Sequence, residues 1–168
     1  GVHNSSDFIF ASAAEEKKAH SQALPESDII LAGHCGIPFG QRINNRYWLN
    51  PGVIGMPAND GTPDTWYMLI TPVNQQLVCR WHRLTYDHEA AAHQMMTAGL
   101  NNGYRQALSS GLWPSRDVLP ESEKAQTGQR LIPPTLTIGS TTPSGITPSV
   151  TAPKQSQDKT GKPRGGAI

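Results

Sequence analysis

Two short apolar runs, each ending in a glycine-marked turn, constrain this chain more than any other feature. Asp28-Ile29-Ile30-Leu31-Ala32 is an uninterrupted run of β-branched and aliphatic residues. It has the length of a strand buried on both faces and is too short for a helix. Gly33 ends it, so His34 leaves the strand where ligand-binding groups collect, and Gly36 and Pro38 set the backbone beyond. A second strand is expected over Arg46-Tyr47-Trp48-Leu49, entered through the Asn44-Asn45 turn and ended by Asn50-Pro51-Gly52. Pro51 cannot extend a ladder and Gly52 permits a positive φ. Asn50 and Gly52 are therefore candidates for a turn whose free N–H groups hold an anion.

Helical signals flank these runs. Residues 11–24 read as a helix, with Ser12 as N-cap, Glu15 three residues on as a capping box, a series of alanines, and Pro25 as its stop. Residues 65–71 and 76–84 form a hairpin pattern around Pro72-Val73-Asn74-Gln75, and in the second arm Leu77, Cys79 and Trp81 share one face while Val78, Arg80 and His82 share the other. Asp87 is placed to cap a helix from His88 to Ala98 that stops at Gly99. A further helix follows Asn101-Asn102-Gly103, with Tyr104, Ala107 and Leu108 at helical spacing, and Gly111 closes it. Strand-sized runs alternating with helical segments point to an α/β fold, with the strands around Ile30, Trp48, Tyr67 and Val78 in one layer and helices covering it.

The character of the chain changes beyond Leu131. Residues 132–168 contain no aromatic side chain and are dominated by Pro, Thr, Ser and Gly. Such a segment cannot bury enough apolar area to offset its ordering entropy, so a disordered tail is expected there. The chain carries +1 and the tail +3 (Lys154, Lys159, Lys162 and Arg164 against Asp158), which leaves residues 1–131 at −2. A mildly acidic folded part argues against nucleic acid as its partner. The two cysteines, Cys35 and Cys79, have no zinc-ribbon or Cys-x-x-Cys spacing, and Cys35 reads as a small buried residue in a tight turn. No apolar run approaches the ~18 residues of a membrane span, and no basic-then-apolar leader opens the sequence. A soluble, cytoplasmic protein is the expectation, with no membrane partner.

Taken together, Gly33-His34-Cys35-Gly36 and Asn50-Pro51-Gly52-Val53-Ile54-Gly55 resemble the C-terminal part of the calcineurin-like metallophosphoesterases. Those proteins end a strand with Gly-His-x-His and follow it with an Asn-Pro-Gly-Ser-x-Gly turn. Gly1-Val2-His3-Asn4 resembles the family's upstream His-Gly segment. The stretches 55–63 and 111–120 resemble a bacterial subgroup in which Gly-His-x-His is reduced to Gly-His-x-Gly. The resemblance covers residues 1–131.

The resemblance implies the C-terminal half of a metallophosphoesterase-type β-sandwich flanked by helices. It implies His3 and His34 as ligands of divalent metal ions (Mn, Fe, Zn or Ni), Asn50 and Gly52 as the phosphate-side turn, and Gly36 at a position where the family's last histidine stands. Its upstream Asp-x-His, Gly-Asp-x-x-Asp and Gly-Asn-His-Asp motifs do not occur here, so the chain reads as a fragment. The implied function is part of a metal-dependent phosphohydrolase acting on a phosphomonoester, phosphodiester or nucleotide through a metal-activated hydroxide. The alternative is a degenerate, non-catalytic relative that binds a phosphorylated ligand or a protein. His82, His88 and His93 read as surface or partly buried residues rather than ligands.

Overall fold

The computed structural model describes residues 4–24 and 28–139. Helix α1 (Ala14–Gln22) is followed by strands β1 (Ile29–Leu31), β2 (Phe39–Ile43), β3 (Arg46–Asn50), β4 (Thr65–Val73) and β5 (Gln76–Leu84). Helices α2 (His88–Thr97), α3 (Gly103–Ser110) and α4 (Glu121–Ala125) come next, and β6 (Thr135–Gly139) closes the described chain.

The strands form two sheets rather than the single layer expected from their spacing. The first has the order β1-β3-β2 and the second β4-β5-β6. β1 runs parallel to β3 with Ile30 opposite Trp48, and β2 returns antiparallel through the Asn44-Asn45 turn. In the second sheet β4 and β5 pair without interruption from Thr65↔Leu84 to Val73↔Gln76. Asn74 and Gln75 both take positive φ, the requirement of a two-residue turn matched to strand twist.

Alternation along β3 explains the layering. Trp48 turns to one face and packs with Ile30, Phe39, Phe10, Ile9 and Leu119, against which Ala11, Ala13 and Leu24 on either side of α1 lie, while His20 of α1 faces the Trp48 ring. Tyr47 and Leu49 turn to the other face and meet Trp66, Cys79, Trp81 and Ile138 of the second sheet. The order of layers is therefore helix, first sheet, second sheet. The sheets approach closely at Gly40, where a Cβ would stand 2.5 Å from the Trp81 ring, and the Trp81 indole N–H donates to the Asn50 carbonyl (2.7 Å).

Three elements differ from expectation. β2 forms over a segment for which no strand was expected. β6 pairs with β5, so residues 135–139 belong to the fold and not to the tail; the rest of the expected tail lies outside the described residues. Ser12 does not cap α1. The helix begins at Ala14 with no side-chain cap, because Ser12 gives both its N–H (2.9 Å) and its hydroxyl (2.6 Å) to Glu123 of α4. Among the described residues no helix is long and apolar enough to cross a membrane.

Candidate functional site

Because β1 and β3 are parallel, the Gly33–Gly36 turn and the Asn50–Gly52 turn emerge at the same end of the first sheet. His34 leaves there with φ +79°, exposed, its ring stacked on Phe8 at 4.4 Å between centroids. It lines an open cleft of about 400 Å³ with Ser5, Leu31 and Trp48.

The residue that follows His34 faces inward. Cys35 is fully buried. Its Sγ accepts from the Asn50 side-chain amide (2.8 Å) and reaches the Ile37 carbonyl (3.6 Å). Burial pushes its pKa up to about 11, so at neutral pH it is a thiol and not an activated nucleophile. This agrees with its reading as a packing residue.

Asn50 is also fully buried, and its groups are spent inside the fold. Its Oδ1 accepts from the Gly52 N–H (2.9 Å), its Nδ2 donates to Cys35, and its carbonyl accepts from Trp81. The anion-holding turn expected here therefore lacks one of its donors, since the Gly52 N–H is already engaged. Gly52 is required for another reason: φ is +79° and a Cβ would lie 2.6 Å from Trp66 Cβ. Asn50 and Gly52 lock the two turns and the two sheets together.

Gly36 has φ +73°, and a Cβ there would stand 3.0 Å from Trp113 Cζ2 and 3.5 Å from Met56 Cε. Trp113 is itself held in place, its indole N–H donating to the Pro57 carbonyl (2.7 Å) and its backbone N–H to Asn59 Oδ1 (2.9 Å). An imidazole at position 36 would have to displace this ring. His3 lies outside the described residues. Among the described residues no three His, Cys, Asp or Glu side chains come together as a metal-holding group. The donors among the described residues thus do not by themselves amount to a metal site. His82 and His88 are half-buried and His93 is exposed.

Two buried ionic clusters were not anticipated. Lys17 of α1 is fully buried and donates to the carbonyls of Phe10 (2.6 Å) and Ala11 (2.7 Å). Burial pulls its pKa below the ordinary lysine value against the opposing field of Glu123. The second cluster centres on Asp60, which accepts from the Thr62 N–H and hydroxyl, the Leu131 N–H and the Arg83 guanidinium. Arg83 in turn lies 4.5 Å above the Trp66 ring. Burial pushes the Asp60 carboxyl up, but hydrogen bonds from Thr62, Arg83 and Leu131 together hold it below the usual carboxylate value. The only local signal was the Asn59-Asp60-Gly61-Thr62 turn; its partners are distant in sequence.

The fold has a solved counterpart. A hypothetical protein, PH1004 from Pyrococcus horikoshii, superposes with a TM-score of 0.53 at 15% identity, over 62% of this chain and 40% of that one. A likeness at that identity concerns the fold alone. A single and a double mutant of Vps29 from Entamoeba histolytica overlap at TM-scores of 0.32 and 0.34, with 23% and 20% identity, over 42% and 48% of this chain and 40% and 46% of theirs. Overlaps so low carry no argument. The chain thus spans less than half the length of each of these structures. No family model and no curated protein matches the sequence.

Proposed function

We propose that this chain is part of a metallophosphoesterase-type protein, a metal-dependent phosphohydrolase. The observation that carries the reading is the shared exit of the His34 turn and the Asn50–Gly52 turn at one end of the first sheet, with the His34 side chain exposed there. The two turn sequences resemble the family's, and the α/β layering with two small sheets is compatible with a partial domain of that kind. In this reading His34, with His3, supplies imidazole to a divalent ion, and the substrate is a phosphorylated small molecule or nucleotide. Such ions supply Lewis acidity and an activated water in enzymes of this type.

A degenerate relative that binds a phosphorylated ligand or a protein without turnover is the second reading. The packing of Gly36 under Trp113 favours it, because a side chain where the family's last histidine stands would be strained at φ +73° and would have to shift the Trp113 ring. Hydrolysis of bis-p-nitrophenyl phosphate in Mn²⁺ by the full-length protein separates the two. Turnover that disappears with chelation supports the enzyme. Binding of a phosphorylated ligand with no turnover supports the degenerate relative.

A further inference from the structure

We infer that the cleft beside β1 seats a neutral heteroaromatic group carrying a ring-nitrogen or carbonyl acceptor, and that the Trp48 indole N–H is the donor that holds it. The inference rests on the proposed function in one respect, since it makes this group the organic part of the phosphorylated substrate. Consecutive residues from Ile30 to His34 line the cleft, with Leu24, Ser5 and Trp48 completing it. It therefore runs from the middle of β1 to the turn that carries His34. Its volume of about 400 Å³ lies within the range of small-molecule sites.

The deciding observation is the indole. Trp81 and Trp113 each donate to a backbone carbonyl at 2.7 Å. Trp48 is 1% exposed, yet its Nε1 has no acceptor. An indole nitrogen can only donate, and a buried donor left unpaired is costly. The Trp66 N–H is unpaired as well, but that ring packs in the core of the second sheet with Arg83 4.5 Å above it. Trp48 instead lines an open cleft. Its N–H is closed to bulk water, so seating an acceptor there requires a lining aliphatic side chain to change rotamer, and Leu31, 60% exposed, is free to do so.

The lining sets the chemistry of the occupant. It contains no Asp, Glu, Lys or Arg, and its polar side chains besides Trp48 are Ser5 and His34. A charged group would lose its hydration against such walls without gaining a counter-charge. A hydrocarbon would leave the indole donor unpaired. A trapped water needs two or more polar partners, and the walls are mainly aliphatic. A flat ring with one acceptor meets every demand, and the exposed His34 ring, stacked on Phe8, adds aromatic surface to the rim.

The test is NMR of the whole 168-residue chain, following its four tryptophan indole N–H signals while quinoline is added. Naphthalene, of the same shape without the ring nitrogen, is the comparison. A saturable downfield shift of the Trp48 signal is expected with quinoline, the Trp66 signal staying in place. Naphthalene should bind roughly fivefold more weakly or worse. Trp48→Phe identifies the signal by its loss, and sequential assignment identifies it if that variant does not fold. Leu31→Glu, at an exposed position, should keep the fold and raise the Kd for quinoline roughly tenfold. No saturable shift at Trp48, equal affinity for the two probes, or unchanged affinity in Leu31→Glu would each overturn the inference. Neither probe carries phosphate and no metal is added, so these outcomes are read independently of turnover of bis-p-nitrophenyl phosphate.

Discussion

Gly36 adopts φ +73° with the Trp113 ring 3.0 Å from the site of a Cβ. Both facts oppose the idea that a histidine could simply be restored there. A left-handed conformation costs a residue with a Cβ about 1–2 kcal/mol before any clash, and Trp113 is pinned by two hydrogen bonds and cannot yield cheaply. Gly36→His is therefore expected to lower unfolding free energy by at least about 1 kcal/mol in urea titration without raising affinity for Mn²⁺. Tighter metal binding at unchanged stability would show that the position is a vacated ligand site. The turn around it was legible in the sequence because glycine, histidine and proline follow one another there. Trp113 was not, since nothing local to residue 36 announces a ring arriving from a segment so far along the chain.

Among the elements, those with local signals were read correctly and those set by distant partners were not. Asp87 accepts from Ala90 N–H and Asn102 from Tyr104 N–H, and Gly111 ends α3 at φ +71°, all as the sequence indicates. β2 was missed because Gly40 looks like a breaker; it is glycine to admit Trp81 from the facing sheet. β6 was missed because alternating Leu136 and Ile138 sit in a stretch whose average composition resembles a tail. The Ser12 capping box failed because Glu123 competes for the same groups through tertiary contact. Arg83 belongs to the same class: it joins β5 to the Asp60 loop and to Leu131, with its side chain 13% exposed and that of Asp60 1% exposed. Arg83→Met should cost about 3 kcal/mol, since it leaves a buried carboxylate without its cation. The Asp60→Asn/Arg83→Met double variant should be less destabilised than the two single losses added together. Strict additivity in denaturant titration would show that the pair is not coupled.

At the scale of the whole molecule, Asp60 and Glu123 tie the helix layer and the long loops to the sheets. For each, burial alone would raise the carboxyl, yet donated hydrogen bonds hold it below the ordinary value. A depressed folded pKa gives stability that is fully present above the unfolded value of about 4 and is lost as pH falls through the folded value. The denaturation midpoint should accordingly be level above about pH 5 and fall steeply below about pH 4. The fall should be shallower in Asp60→Asn, which starts from a lower plateau; an identical acid limb would place the linkage elsewhere. The sheets also organise the candidate site, since the parallel pairing of β1 with β3 brings His34 and the Asn50–Gly52 turn to one end. Metal analysis of His34→Ala in the full-length protein tests that arrangement most directly. Reduced divalent-metal content with an unchanged thermal transition is the predicted result, and full metal occupancy in the variant would contradict it.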